Sequence, residues 1–474
     1  MTPEEFRTHG QAVIAWIADY LANPEQFDVI PGVGPGDVKK ALPLAAPETS
    51  EPIPAILADF ERILIPGTTH WNHPMFMAYF ANTGSAAGVL GEALIAALNV
   101  NAMLWRTGPA ATELEQVTLD WVRQMLGLPE GFKGTITDTA SASTLYALAA
   151  ARELAPELQI RERGMAGRTD LPRLTIYQSE EAHSSVAKAV TTLGFGLDSL
   201  RSVPSDSSMR MDADKLEQLI ASDRASGARP LAIVATVGTT STTAIDPVDR
   251  IAAIAERESL WLHVDAAYAG AAAILPEKRD ILRGAEGAHS LVVNPHKWLF
   301  TPMDCSILYT SRPDLLKRAF SITPSYLTET EPGEVINLMD YGVSLGRRFR
   351  ALKLWFVLRH YGVAGLQKLL REHIRLASLF AEWVDSDPDF ELVIPVNFST
   401  VVFRYAPPGA TPSELNSLNA ALADRIHAGR ELYLSHTSVR GQYCLRLAIG
   451  NEHTVQSHVE RAWTIIRTMA GSNR

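Results

Sequence analysis

Four polar clusters in this 474-residue sequence follow short apolar runs, and together they hold the groups that amine chemistry requires. Leu260-Trp261-Leu262-His263-Val264 leads into Asp265-Ala266-Ala267-Tyr268, and Leu291-Val292-Val293 leads into Asn294-Pro295-His296-Lys297-Trp298. Leu231-Ala232-Ile233-Val234-Ala235-Thr236 is followed by Gly238-Thr239-Thr240-Ser241, and Leu174-Thr175-Ile176-Tyr177 by Glu181-Ala182-His183-Ser184-Ser185. Ligands of open parallel sheets bind beyond the carboxyl ends of the strands. If the runs are such strands, a carboxylate, a lysine, a histidine and a hydroxyl-rich turn converge on one crevice.

A lysine amine whose pKa is lowered by burial and neighbours can form a Schiff base with an aldehyde. A carboxylate can keep a pyridine nitrogen protonated, which lets the ring accept electrons from a substrate. His183 suits stacking on a flat ring. The segment Asp138-Thr139-Ala140-Ser141-Ala142-Ser143-Thr144 opens a helix and offers backbone N–H groups and hydroxyls to a phosphate. This is the set that pyridoxal phosphate needs. Each residue alone has a plainer reading: Lys297 as a surface charge, Asp265 as a strand-end cap, His183 as a helix-start residue, the 138–144 run as a capping turn. Their joint arrival at successive strand ends points to a cofactor site.

The elements that must position these groups are legible around them. The four runs are continuously apolar, as strands buried on both faces of a mostly parallel sheet are. Between Leu231–Thr236 and Leu260–Val264, Pro247 to Ser259 carries Ile251, Ile254 and Ala255 on one helical face, completing a βαβ unit. A helix over residues 351–371 leads into a C-terminal part where Val401-Val402-Phe403 and Tyr443-Cys444-Leu445-Arg446-Leu447 read as strands. At the start, Thr2, Pro3 and Glu5 form a capping box. Phe6, Val13, Ile14, Ile17 and Leu21 follow as an apolar stripe that needs cover, from its own domain or from a second subunit. The Gly-x-Gly-x-Gly of residues 32–36 lacks a strand-to-helix frame and reads as a turn.

Composition narrows the class. With 43 basic and 53 acidic residues the formal charge is −10, and 46% hydrophobic with 20% charged residues is ordinary for a globular chain. An acidic chain without a basic tract argues against nucleic acid or an anionic membrane as partner. The apolar stretch Gly84 to Leu104 is interrupted by Glu92, Asn99 and Asn101 and reads as a buried helix rather than a membrane span. Cys305 and Cys444 cannot build a disulfide framework, His70 and His73 have no third ligand in reach, and no metal site is expected. The first residues lack the basic and apolar regions of a signal peptide, so a cytoplasmic location is expected. The basic cluster Arg347, Arg348, Arg350 and Lys353 is expected to pair with the acidic loop that precedes it.

Asn294-Pro295-His296-Lys297-Trp298, with His263-Val264-Asp265-Ala266-Ala267-Tyr268 upstream, resembles the group II pyridoxal-dependent amino-acid decarboxylases. The aromatic-L-amino-acid (DOPA) decarboxylase branch is the most similar. The resemblance extends over almost the whole chain, through Thr69-His70-Trp71, Ala78-Tyr79-Phe80, Thr112-Glu113-Leu114-Glu115, Ala182-His183-Ser184-Ser185 and Leu345-Gly346-Arg347-Arg348-Phe349-Arg350. It implies an α/β fold of type I, aminotransferase-like. Residues 1–85 would form a helical N-terminal dimerisation segment, residues 86–352 a large domain around a mostly parallel seven-stranded sheet, and residues 353–474 a smaller α/β domain, assembled as a homodimer.

By the same resemblance Lys297 is the Schiff-base lysine, Asp265 the pyridine-nitrogen partner and His183 the stacking residue. Ala140, Ser141, Thr240, Asp246, Asn294 and His296 match cofactor-binding positions. Trp71, Tyr79, Phe80, Asn82, Met103, His296 and Leu345 match the substrate pocket, and Thr323-Pro324-Ser325-Tyr326-Leu327 a mobile catalytic loop that reaches the partner's site. Ala81-Asn82 stands where animal relatives have Pro-Thr, Met103 replaces a phenylalanine with a more adaptable side chain, and Tyr341-Gly342 replaces Trp-Gln. The implied activity is decarboxylation of an aromatic L-amino acid to its amine, with Tyr326 returning the proton. An aldehyde synthase would carry phenylalanine in place of Tyr326 or asparagine in place of His183, and a non-catalytic pyridoxal phosphate carrier would tolerate loss of Tyr326 and the pocket aromatics. Neither pattern is present.

Overall fold

A computed structural model describes residues 1–80, 82–322 and 335–471. Two compact units emerge: residues 82–374 with 394–400, and residues 1–81 with 375–393 and 401–474. The N-terminal segment and most of the C-terminal part thus group in one unit, and the chain from Ala351 stays with the larger unit as far as residue 374.

The strands, in chain order, are β1 (Phe76–Met77), β2 (Lys133–Thr137), β3 (Leu174–Ser179), β4 (Leu200–Val203), β5 (Arg229–Thr236) and β6 (Trp261–Asp265). They continue with β7 (Ser290–Val293), β8 (Ser306–Thr310), β9 (Phe390–Leu392), β10 (Thr400–Tyr405), β11 (Tyr433–Val439) and β12 (Gln442–Ala448). The larger unit is built on a seven-stranded sheet of order β2-β8-β7-β6-β5-β3-β4. Only β8 runs against its neighbours; the pairs β3/β4, β3/β5, β5/β6 and β6/β7 are parallel. All four apolar runs of the sequence are strands of this sheet, and their burial is nearly complete. The fold is α/β with a mostly parallel seven-stranded sheet.

Register decides where the strand ends fall. Thr236 pairs with Asp265, and Asp265 with Val292, so the residues that follow β5, β6 and β7 leave the sheet side by side. The Pro247-to-Ser259 segment is the Val248–Glu258 helix, which buries Val248, Ile251, Ile254 and Ala255. Gly238, just past β5, has φ +86°, and a Cβ there would lie 2.5 Å from the Ala269 Cβ. Only glycine allows this turn. At the sheet edge Arg347 donates to Glu115 (3.0 Å) and to the Ile136 carbonyl (2.6 Å), while Glu115 accepts the Ile136 N–H (2.9 Å). This buried pair ties the Pro109–Leu126 helix to β2, the strand that runs into the 138–144 segment.

The second unit contains a sheet of order β1-β11-β12-β10-β9. Its first helix, Pro3–Ala22, has the expected capping box, with Glu5 N–H on the Thr2 hydroxyl and Thr2 N–H on the Glu5 carboxylate. None of its residues is buried, and Phe6 and Ile14 are exposed. His70 and His73 are used internally: the His70 ring is 3.1 Å from the Tyr20 hydroxyl, and His73 Nδ1 accepts the Met75 N–H. Among the described residues no group of side chains could hold a metal ion, and no helix is long and apolar enough to cross a membrane.

Candidate active site

Lys297 lies in a single helical turn, Pro295–Trp298, that follows β7 directly. Proline at its first position supplies the helical φ, and Trp298 anchors the turn. That indole is fully buried, stacked on Tyr268 at 4.8 Å, and donates its N–H to His373 Nδ1 at 3.0 Å. Next to this wedge Lys297 is half-buried. Asp265 is the last residue of β6, buried, and accepts the Ala267 N–H at 3.1 Å.

His183 precedes the Ser185–Thr192 helix. Its Nδ1 accepts the Ser185 N–H at 3.1 Å and lies 2.9 Å from the Ser185 hydroxyl, which leaves the ring proton on Nε2. His183 is exposed in the single chain. Burial lowers its pKa, the Asp265 carboxylate raises it, and Lys297 lowers it again. The Asp265 carboxylate and the Lys297 ammonium, from two other strand ends, therefore both lie within electrostatic reach of the His183 ring. Deeper still, burial pushes His263 down to about 4, and its Nδ1 lies 2.8 Å from the Ser290 hydroxyl.

His296 is buried, and its Nδ1 accepts the Cys305 backbone N–H at 2.9 Å. Its proton is thus on Nε2, and burial, assisted by the Lys297 charge, pushes its pKa down to about 3. At working pH His296 is a neutral hydrogen-bond donor.

Two tests bear on whether pyridoxal phosphate fits. The Ala140–Arg152 helix follows β2 with no side chain capping it, and Ala140 and Ser141 occupy its first two positions, so the opening N–H groups and a serine hydroxyl form an anion cradle. The Asn294 Oδ1 and Thr236 Oγ1 atoms, at the ends of β7 and β5, are buried without a hydrogen-bond partner among the described residues. Buried polar atoms are nearly always paired, and a polar ligand at these strand ends would pair them. The donor set fits the cofactor.

The remaining candidates divide. Thr240 is exposed on the turn after β5. Asp246 is fully buried, with both oxygens on backbone amides: Met211 N–H at 2.7 Å and Thr236 N–H at 2.8 Å. Burial pushes its pKa up to about 7, and it braces the loop that leaves β5. In the larger unit Asn82 is half-buried near the Met303 sulfur, Met103 packs with Leu104 and Met339, and Leu345 is exposed. Tyr341 and Gly342 border a cavity of about 130 Å³ shared with Asp138 and Ala142 at the start of the 140–152 helix. A side chain at Gly342 would come within 2.7 Å of the Tyr146 ring, which explains why glycine stands there. Trp71, Tyr79 and Phe80 belong to the other unit, where Trp71 stacks on Tyr79 at 5.8 Å. Tyr326 lies outside the described residues.

Sequence reasoning missed what backs these groups. Within the basic cluster Arg347 pairs with Glu115, Arg348 with Glu92 and Arg350 with Asp304, while the acidic loop expected to pair with it lies outside the described residues. The fully buried Lys353 sits 2.8 Å from Glu92 and 4.0 Å from Asp304. Asp304 immediately precedes the Cys305 amide that fixes the His296 tautomer. No strand-end rule could have found pairs such as Arg347–Glu115 and Arg348–Glu92, whose members stand more than 200 positions apart.

A lysine on a strand-end turn, a carboxylate one strand away and a phosphate cradle at a helix start define a cofactor-dependent α/β enzyme. Residues 35–406 match the family model of the pyridoxal-dependent decarboxylase conserved domain. The chain is 42% identical to a tryptophan decarboxylase of Camptotheca acuminata over 98% of its own length and 95% of that protein. It is 40% identical to a phenylacetaldehyde synthase of a Rosa hybrid cultivar, over 99% of its length and 94% of that protein. In structure it is similar to the Oryza sativa TDC solved with PLP and tryptamine, with a TM-score of 0.95, 36% identity and coverage of 100% and 99% of the two chains. The chain belongs to the pyridoxal-dependent decarboxylase family: it is a carbon–carbon lyase that uses pyridoxal phosphate to decarboxylate an amino acid.

Proposed function

We propose that this enzyme converts an aromatic L-amino acid to its amine and CO₂, working as a homodimer in the cytoplasm. The observation that carries the reading is the convergence of Lys297, Asp265 and His183 at the ends of β7, β6 and the β3 connection. The aromatic class is supported by Trp71, Tyr79 and Phe80 and by relatives named for tryptophan and phenylacetaldehyde. Exposed Leu90, Leu94 and Leu98 form one stripe on the Ala86–Leu98 helix, and with Phe6 and Ile14 they support a second copy as the cover. Two unpaired buried cysteines agree with a reducing compartment.

In this reading Lys297 would hold the cofactor covalently through its amine, and Asp265 would keep a proton on the ring nitrogen. The 140–152 helix start, Ser141 and the Asn294 side-chain N–H would hold the phosphate, assisted by Thr240 and the turn that Asp246 braces, and His183 would lie against the ring. His296 offers Nε2–H as a neutral donor, and Asn82, Met103 and Leu345 of the same unit shape space for the side chain. Bound pyridoxal phosphate supplies an electron sink for the pair left at Cα when the carboxylate departs as CO₂. The Tyr326 phenol then delivers a proton to Cα, and the amine leaves.

The aldehyde synthase among the relatives makes a second reading specific. It differs in what meets Cα after CO₂ is lost: a proton gives amine, whereas dioxygen gives aldehyde, ammonia and peroxide. Tyr326→Phe removes only the hydroxyl. General acids of this kind contribute about 10²–10⁴-fold to a proton transfer. The variant is expected to keep releasing CO₂ while part of its product shifts from amine to aldehyde with matching peroxide. An unchanged amine-to-CO₂ ratio in aerated buffer would show that Tyr326 is not the proton donor.

A further inference from the structure

Three buried hydroxyls lie beneath the start of the Ala140–Arg152 helix, and counting their protons gives the row one direction. Thr137 Oγ1, at the end of β2, lies 3.2 Å from the Thr139 carbonyl and 2.8 Å from Ser143 Oγ, which lies 3.2 Å from Ser306 Oγ on β8. A hydroxyl has one proton to donate and two lone pairs with which to accept. The carbonyl can only accept, so the Thr137 proton goes to it. Thr137 must then accept from Ser143, and Ser143 from Ser306. All three residues are buried, and each proton is committed within the row.

The row ends on the residue that precedes the helix. The Thr139 carbonyl also accepts the Ser143 N–H at 3.1 Å, the first bond of the helix, while the Asp138 carboxylate accepts the Thr139 N–H at 2.8 Å. The N–H groups of Ala140, Ser141 and Ala142 come before that first bond and have no partner within the helix. The Thr139 carbonyl and the Ala140 N–H belong to one planar trans peptide and point in opposite directions, so pinning the carbonyl aims the N–H out of the helix start. The row also joins this start to its neighbours. Thr137 and Ser306 are partners in the β2/β8 register, and Ile307 pairs with Val293, the residue before Asn294.

We infer that Thr137, Ser143 and Ser306 are positioning residues for the phosphate of pyridoxal phosphate: their directed row of hydroxyls pins the Thr139 carbonyl and so holds the opening N–H groups of the helix in place for the phosphate. The inference rests on the reading that the phosphate lies at this helix start, and deepens it. The three residues act through the Thr139–Ala140 peptide.

The test measures how tightly the full-length enzyme, stripped of cofactor, binds pyridoxal phosphate and pyridoxal, which lacks only the phosphate. Both offer Lys297 the same aldehyde, so the ratio of the two dissociation constants isolates the phosphate. Thr137→Val keeps the shape and removes the donor to Thr139. One neutral hydrogen bond corresponds to about 2–10-fold, so the dissociation constant for pyridoxal phosphate should rise by that factor while that for pyridoxal stays in place. Ser306→Ala removes the far end of the row and should change the ratio less, and Thr137→Ser, which restores the hydroxyl, should return it to the wild-type value. Equal weakening of both ligands by Thr137→Val, or an unchanged ratio, overturns the positioning role. Ser141→Ala tells that failure from failure of the underlying reading. If it lowers the preference for pyridoxal phosphate and Thr137→Val does not, the phosphate lies at the helix start without help from the row. If neither lowers it, the phosphate is held elsewhere and both conclusions fall.

Discussion

Lys297→Ala should abolish turnover and remove the bond by which borohydride fixes the cofactor to the protein. Among the described residues Lys297 is the one lysine that follows a strand of the central sheet directly, on a turn locked by Trp298, and its charge reaches His183. Truncation leaves the Trp298 anchor and the β7 register untouched, so the far-ultraviolet circular dichroism should match that of wild type. Loss of a covalent catalytic group costs on the order of 10⁶-fold in comparable cases. A variant that remains yellow, is fixed by borohydride and turns over would assign the role elsewhere. The same variant also probes assembly. Mixed with Tyr326→Phe chains, it should regain part of the activity, because one site of each hybrid dimer would combine an intact Lys297 with an intact Tyr326 from the other chain. No recovery in verified heterodimers would mean that both groups come from one subunit.

Asp265→Asn should leave the cofactor bound and the rate collapsed. The amide preserves the shape at the end of β6 and can still accept the Ala267 N–H, but it cannot hold a proton on a pyridine nitrogen through charge. Exchanging a carboxylate for its amide behind another catalytic ring costs on the order of 10⁴-fold, and a similar loss in kcat is expected here. A second readout needs no turnover. The Asp265 charge raises the pKa of His183 against the lowering effect of burial, so removing that charge should move the His183 titration to lower pH. Near-normal kcat, or a His183 titration that moves upward, would contradict the assigned role.

The centre of the site could be read from sequence because apolar runs followed by polar residues report strand ends, and strand ends are where such sheets bind ligands. Lys297, Asp265 and His183 came from that rule, whereas the 138–144 segment was legible as a hydroxyl-rich helix start. The short strands Lys133–Thr137, Leu200–Val203 and Ser306–Thr310 did not, since four or five residues with interspersed serine, threonine or lysine give no apolar run. The single helix expected over 351–371 is two helices within Ala351–Ser386, joined at a kink where Gly362 leaves helical geometry (φ 61°, ψ 173°). The supports of the site were illegible for a different reason. Cys305 N–H on His296 and Glu92 beside Lys353 depend on which surfaces meet, and that information lies in three-dimensional packing rather than in the local spacing of residue types.

The most direct measurement is the amount of amine formed per CO₂ released by wild-type holoenzyme in aerated buffer, across tryptophan, tyrosine, phenylalanine, DOPA and 5-hydroxytryptophan. The account predicts that at least one of these yields equal amounts of amine and CO₂, with no accumulation of peroxide or ammonia. CO₂ accompanied by equal aldehyde, ammonia and peroxide would make the enzyme an aldehyde synthase, and no CO₂ from any of the five would contradict aromatic decarboxylation altogether.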